Sequence, residues 1–151
     1  MVNVKINGAD YSVPAGITVL EACRYANIDI PTLCYLKDIN QIGACRLCLV
    51  EVKGARGLVA SCVYPVNEGM EIQTNTPKIR AVRKTNLELV LSAHNKKCLT
   101  CVRSTSCELQ KLCQEYRHYS SRSLQIRKHR HPDRLVALGG QRNLRVQSMS
   151  R

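Results

Sequence analysis

Alternating apolar and polar residues open the chain and predict a β-hairpin. Apolar side chains occupy every second position over residues 2–6 and again over residues 11–13, and Asn7-Gly8 lies between the two runs. That dipeptide accepts the positive φ values of a tight hairpin turn. Thr18 is then placed to cap a short helix, because apolar residues follow at helical spacing over residues 19–26. The beginning of the chain therefore predicts two strands and a helix.

Further apolar runs predict more strands in the first half of the chain. Residues Leu47–Val52 and Leu58–Val66 are rich in β-forming side chains, and the turn-prone residues 53–57 separate them. Another short strand is predicted at Glu71–Gln73. A break at Asn75–Pro77 follows and is typical of a domain boundary.

A longer helix is predicted from Lys78 to Ser92, since neither Gly nor Pro interrupts it. Its expected apolar stripe consists of Ile79, Val82, Leu89, Val90 and Ala93. Beyond Tyr116 the periodicity fades, and little stable structure is expected. The pattern predicts an α+β chain with a first domain at residues 1–77, a small helical domain at 78–116 and a tail of low order at 117–151.

The positive charge of the chain is concentrated in its tail. The 151 residues carry a formal net charge of +12, and residues 117–151 contribute +8 of it, from nine Lys/Arg against one acid. The rest of the chain carries +4, which is ordinary. A basic tail can bind nucleic acid or an acidic ferredoxin, but only Tyr119 interrupts it with an aromatic ring and no nucleic-acid motif accompanies it. No nucleic-acid partner is expected.

The nine cysteines point to metal binding in a reducing compartment. Residues 1–30 have no basic start followed by an apolar run, so no signal peptide is evident and a disulfide framework is not expected. No apolar run approaches the roughly 20 residues of a membrane helix. We therefore expect a cytoplasmic protein without direct membrane insertion.

A first group of four cysteines has the spacing of a cluster-binding loop. Its members, the first quartet, are Cys34, Cys45, Cys48 and Cys62. A [2Fe-2S] cluster takes four thiolates, two on each iron. Gly43 allows a close backbone approach, and Arg46 between two ligands could offset the negative charge of the cluster. Structural zinc also takes four thiolates, usually as two close pairs, but only one close pair exists here.

A second group of possible ligands follows the long helix. Its members, the second quartet, are His94, Cys98, Cys101 and Cys107. His94 lies one turn beyond Val90 and is expected to project from the apolar face of the helix. A zinc site with three cysteines and one histidine has the same donors, so both metals remain open on spacing alone. Cys23 and Cys113 lie outside both quartets and are expected to pack as small apolar residues.

These motifs resemble the first part of two related protein families. The segments are Pro31-Thr-Leu-Cys34-Tyr35, Gly43-Ala-Cys45-Arg46-Leu-Cys48, Ser61-Cys62, and His94-Asn-Lys-Lys-Cys98-Leu-Thr-Cys101 followed by Ser104-Thr-Ser-Cys107. They are similar to the catalytic subunit of [FeFe]-hydrogenases and to the large iron-sulfur subunit of respiratory NADH dehydrogenase. The resemblance implies a β-grasp ferredoxin-like [2Fe-2S] domain at residues 1–77. At residues 78–116 it implies a [4Fe-4S] domain with one histidine and three cysteine ligands.

The resemblance also implies a function. It implies an electron-transfer module of an NAD(P)-linked [FeFe]-hydrogenase, working between a flavin-bearing NAD(P)H-oxidising subunit or ferredoxin-like carrier and downstream clusters. The NADH dehydrogenase subunit is the alternative, and a zinc-stabilised nucleic-acid-binding protein is a remote one. The sequence contains no organised set of acid, base and nucleophile residues that would indicate a catalytic site. Since the family continues with further clusters and a hydrogen-converting domain, we expect a truncated or frameshifted product that lacks them.

Overall fold

The computed structural model describes residues 1–116 and shows an α+β fold; the predicted basic tail, residues 117–151, lies outside the described residues. The described strands are β1 Val2–Ile6, β2 Ala9–Val13, β3 Leu49–Val52, β4 Val59–Ala60 and β5 Met70–Gln73. The described helices are α1 Val19–Tyr25, α2 Pro77–Ala93 and α3 Glu108–Glu115, with a 3-10 turn at Cys98–Thr100. The strands form one mixed sheet in the order β2-β1-β5-β3-β4.

The predicted hairpin is confirmed. Strands β1 and β2 pair antiparallel with Val2 opposite Val13, and the turn between them has φ values of 53° at Asn7 and 91° at Gly8. Two consecutive positive φ values give the turn that matches the twist of the strands. Strand β1 pairs in parallel with β5, while β3 pairs antiparallel with both β5 and β4. Between β2 and β3 the chain forms α1 and then a loop over residues 26–48, called the cysteine-bearing loop because it carries three cysteines of the first quartet.

Helix α1 begins with a capping box. The Thr18 hydroxyl accepts a hydrogen bond from the Glu21 N–H, and the Glu21 carboxylate accepts one from the Thr18 N–H. The helix buries Val19, Leu20 and Cys23 in the main core together with the sheet. Cys23 is fully buried, in agreement with a packing role.

Strand β4 is much shorter than the predicted β-rich run of residues 58–66. Only Val59 and Ala60 are in strand conformation, because the chain then turns toward the start of α1. The carbonyl oxygens of Ser61 and Tyr64 accept hydrogen bonds from the first N–H groups of α1. These carbonyls satisfy donors that a helix leaves unpaired, so they are not available to a sheet.

The long helix is confirmed, but its predicted apolar stripe is partly wrong. The Thr76 hydroxyl caps α2, and the buried residues of the helix are Ile79, Arg83 and Leu87. Leu89, which the stripe included, is 63% exposed. The buried residues are spaced four positions apart, and the middle one is an arginine. Because arginine is polar, a hydropathy pattern does not detect this face.

A second small core joins the two halves of the described chain. Its buried members are Leu47, Leu87, Leu112 and Cys113. Leu47 comes from the cysteine-bearing loop, whereas Leu87 belongs to α2 and the other two to α3. The loop of the first quartet is therefore packed directly against the two helices that flank the second quartet. Among residues 1–116 no helix has the length and apolar character needed to cross a membrane.

Candidate metal centres

The structure brings the first quartet together as two pairs of sulfur atoms. The Cys34 and Cys45 Sγ atoms lie 3.4 Å apart, and the Cys48 and Cys62 Sγ atoms lie 3.3 Å apart. The pairs are close enough for the charges of Cys34 and Cys45 to act on Cys62. Within residues 1–116, no three histidine, cysteine or acidic side chains surround one single-metal position. Two sulfur pairs are the donor arrangement of a binuclear cluster, in which each iron takes two thiolates.

Burial differs between the two sulfur pairs. Cys48 and Cys62 are buried, whereas Cys34 and Cys45 are half-buried. The pKa of the Cys62 thiol is raised to about 12, mainly by burial and to a lesser extent by the neighbouring cysteines. Because metals bind the thiolate form of cysteine, a metal held by Cys62 would displace the proton of this buried thiol.

Backbone N–H groups in the loop point at the half-buried pair. The Cys45 N–H donates to the Cys34 Sγ at 3.4 Å. Burial alone would raise the pKa of Cys45, but hydrogen bonds from the backbone of Leu47 and Leu33 outweigh it and lower that pKa. Hydrogen bonds of this kind stabilise negative charge on sulfur. The hydrogen bonds of the loop would therefore stabilise both the cysteine thiolates and an anionic cluster bound to them.

Positive φ values shape the same loop. Gly43 has a φ of 63° and Arg46 a φ of 52°. A β-carbon at Gly43 would meet the Val63 methyl groups at 3.5 Å, which is ordinary contact, so backbone conformation is the main reason for the glycine. The Asn86 side-chain amide holds the turn from α2 by donating to the Arg46 carbonyl oxygen at 2.8 Å.

The second quartet lies around the 3-10 turn and the ends of two helices. His94 directly follows α2, Cys98 begins the 3-10 turn, Cys101 directly follows that turn and Cys107 precedes α3. His94, Cys101 and Cys107 line one cavity of about 650 Å³, while Cys98 is not part of its lining. A [4Fe-4S] cluster takes one ligand on each iron, so its ligands do not need to touch one another. The donor set fits such a cluster, and three of its four members line one cavity.

The sequence predicted that His94 projects from the apolar face of α2, but in the structure it does not. The helix ends at Ala93, and His94 has an extended ψ of 135° and an exposed side chain. Its Nδ1 accepts a hydrogen bond from the Lys96 N–H at 3.0 Å. A neutral imidazole that accepts at Nδ1 carries its proton on Nε2. If His94 held a metal through Nε2, its proton would lie on Nδ1 and the hydrogen bond from the Lys96 N–H would be lost.

The two remaining cysteines are buried, as expected for packing residues. Burial raises the pKa of the Cys23 thiol to about 12. The pKa of Cys113 is raised first by burial and then by the charges of Cys107 and Cys98. Cys113 therefore lies near the second quartet, within the small core that Leu47 completes.

Two side chains on α2 that bond to the segment around Cys48 were not predicted from the sequence. Arg83 donates to the carbonyl oxygen of Leu49, the residue after Cys48, and Asn86 donates to that of Arg46. The spacing from Ile79 through Arg83 to Leu87 was the available signal. It was missed because an arginine in a helix usually faces solvent.

Two family models match the chain. Residues 1–77 match the 2Fe-2S iron-sulfur cluster binding domain. Residues 83–122 match the NADH-ubiquinone oxidoreductase-G iron-sulfur binding region. The second match continues past Tyr116, where the sequence pattern placed the end of the resemblance.

Curated relatives and a solved structure agree with these matches. The NADP-reducing hydrogenase subunit HndD of Solidesulfovibrio fructosivorans is 45% identical over 121 residues, covering 77% of this chain and 21% of the relative. The NADH-ubiquinone oxidoreductase 75 kDa subunit of Reclinomonas americana is 41% identical over 116 residues, covering 77% of this chain and 17% of the relative. A chain of the NAD+-reducing [NiFe]-hydrogenase in its H2-reduced state superimposes with a TM-score of 0.73 at 32% identity, over 80% of this chain and 50% of that one. The chain thus spans about a fifth of the length of these two curated relatives.

Proposed function

The chain belongs to the family of the 2Fe-2S iron-sulfur cluster binding domain, and from this premise we propose that it serves an NAD(P)-linked [FeFe]-hydrogenase as an electron-transfer module. Its place among the iron-sulfur modules of NAD(P)H-linked oxidoreductases follows from the two family matches and the relatives. The observation that carries the proposal is the convergence of four cysteines into two sulfur pairs inside the matched domain. When bound, each cluster accepts and releases one electron at a time.

The first quartet is assigned to the [2Fe-2S] cluster in this proposal. Cys34 and Cys45 hold one iron, and Cys48 and Cys62 hold the other; the two short sulfur distances support this pairing. The backbone N–H groups that stabilise thiolate at Cys45 also stabilise the additional negative charge of the reduced state. The half-buried pair marks the side of the site that a redox partner can approach most closely.

The second quartet is assigned to the [4Fe-4S] cluster, with His94 as the nitrogen ligand. Three of the four side chains line one cavity, which supports the assignment. Imidazole in place of a thiolate makes the cluster less negative, so its reduction potential is higher than that of an all-cysteine site. The proposed domain boundary at residue 77 has support from the end of the first family match.

The proposed partners are a flavin-bearing NAD(P)H-oxidising subunit, or a ferredoxin-like carrier, and further clusters downstream, in the cytoplasm. The module itself carries electrons and does not convert hydrogen. A second candidate is the corresponding subunit of NADH dehydrogenase, because a relative of that type is nearly as similar as the hydrogenase subunit, at 41% against 45% identity. Genes for membrane proton-pumping subunits beside this one would favour the second candidate.

Reduction by the partner tests the proposed function. The anaerobically purified chain is mixed with the flavin-bearing subunit encoded beside it and with NADH or NADPH, and visible absorption is followed. We expect the iron-sulfur absorption to bleach only when both the subunit and the nucleotide are present. Bleaching by dithionite but never by the subunit would overturn the partner assignment and leave the cluster assignment intact.

A further inference from the structure

Arg83 is a buried cation whose hydrogen-bond partners within residues 1–116 are all uncharged. The residue is 4% exposed, and its Nη2 donates to the carbonyl oxygens of Leu49 at 2.7 Å and Thr74 at 3.0 Å. Its Nη1 lies 3.4 Å from the Tyr116 hydroxyl, and its buried Nε has no hydrogen-bond partner in the described part of the chain. Among the same residues no carboxylate forms a salt bridge with this guanidinium.

A buried charge in this position requires a source of compensation. Proteins bury guanidinium groups when an opposite charge lies nearby, since carbonyl dipoles alone do not replace the lost hydration. The bonded carbonyl of Leu49 belongs to the residue directly after Cys48, whose sulfur is paired with that of Cys62. Because Leu49 adjoins a residue of the first quartet, the cluster proposed for that quartet can supply a compensating negative charge on this side of Arg83.

We propose that Arg83 raises the reduction potential of the [2Fe-2S] cluster by supplying a buried positive charge beside it. The inference rests on the proposed function, in which the first quartet holds that cluster. The cluster is anionic and becomes more negative on reduction, so a nearby cation stabilises the reduced state more than the oxidised state. Burial strengthens this interaction because little water lies between the charges.

Arg46, the cation expected from the sequence, is less suited to this role. Its side chain is exposed, and its contribution to the loop is the carbonyl oxygen that Asn86 holds. Water and salt screen a charge in that position. Arg83 bonds from α2 to Leu49, the first residue of β3 and the neighbour of Cys48, and its burial shields it from both water and salt. It therefore acts as a positioning and charge-compensating residue although it is no cluster ligand.

Redox titration of Arg83 variants tests the proposal. The variants are R83Q and R83M, which remove the charge, R83K, which keeps it, and R80Q, which removes an exposed charge one turn earlier on α2. The potential of the [2Fe-2S] cluster is measured by EPR in the full chain, and folding is checked by circular dichroism. We expect R83Q and R83M to shift the equilibrium about tenfold toward the oxidised cluster, which corresponds to about 59 mV. R83K and R80Q should leave the reduction potential of this cluster close to the wild-type value.

Each outcome decides the question. If R83Q and R83M cannot hold the cluster while R83K can, the cluster requires the charge, and the proposal stands. Equal shifts in R83K and R83Q, loss of the cluster in all three Arg83 variants, or an unchanged potential in R83Q would overturn it. A wild-type chain that binds no [2Fe-2S] cluster would instead refute the proposed function, so the two failures are distinguishable.

Discussion

At the residue scale, burial separates the cysteines into groups with different chemistry. Spacing in the sequence was sufficient to select the four cysteines that the structure brings together, because cluster loops place several ligands on a short segment. Spacing could not show that Cys48 and Cys62 are the buried pair, since burial depends on strands far apart in sequence. It also could not find Arg83, whose burial depends on carbonyl oxygens 9 and 34 positions away.

Replacement of Cys62 by serine is expected to abolish the [2Fe-2S] cluster and to leave the [4Fe-4S] cluster in place. A hydroxyl is a poor substitute for thiolate, and Cys62 is fully buried beside Cys48. EPR of the reduced C62S protein should lack the [2Fe-2S] signal and keep the other. The control C23A changes a cysteine that is equally buried but outside both quartets, and both signals should remain. Loss of the first signal in C23A as well would show that the effect is one of folding.

Replacement of His94 by cysteine is expected to lower the reduction potential of the [4Fe-4S] cluster. A thiolate adds a negative charge to the cluster, which disfavours reduction. EPR redox titration of H94C should show an assembled cluster that is harder to reduce than in the wild type. C113A removes a cysteine near the second quartet that the assignment does not use, and its potential should not change. An unchanged potential in H94C would contradict ligation by His94.

At the scale of secondary-structure elements, local signals were reliable where local contacts form the element. Asn7-Gly8 and the cap at Thr18 predicted the hairpin and the start of α1, since their hydrogen bonds join residues close in sequence. Strand β4 was overestimated because its later carbonyl oxygens bond to α1 instead of a strand. The buried face of α2 was misassigned because the carbonyl oxygens that accept hydrogen bonds from its arginine lie far away in the sequence.

Removal of the α1 cap is expected to destabilise the first domain. In T18A the hydroxyl no longer accepts from Glu21 N–H, which should cost about 1 kcal/mol and lower the thermal midpoint by roughly 4–8 °C. Circular dichroism at one fixed scan rate provides the midpoint. The control T85A alters an exposed threonine within α2; alanine is the better helix former, so its midpoint should not fall below that of the wild type. Equal loss in both variants would argue against the capping box.

At the scale of the whole molecule, the loop of the first quartet and the helices of the second share one small core. Leu47 stands between Cys45 and Cys48 in sequence and packs with Leu87 and Leu112. The α+β class was predictable from the strand and helix patterns of the sequence. The contact between the halves was not, because a single buried leucine in a loop has no distinctive pattern around it.

Truncation of Leu47 is expected to weaken the contact between the two halves. L47A should leave a cavity and cost roughly 2–5 kcal/mol, seen as a lower thermal midpoint and faster loss of both clusters at a fixed temperature. L89A is the matched control, since Leu89 is 63% exposed on α2 and its truncation should change little. Similar behaviour of the two variants would contradict the role of this core.

EPR spectroscopy of the fully reduced, anaerobically purified protein, combined with iron and sulfide analysis, tests the central claim most directly. The two quartets and the two family matches predict iron with acid-labile sulfide and two distinct signals, one from a [2Fe-2S] cluster and one from a [4Fe-4S] cluster. Zinc in place of iron, or fewer than two distinct signals after full reduction, would contradict it.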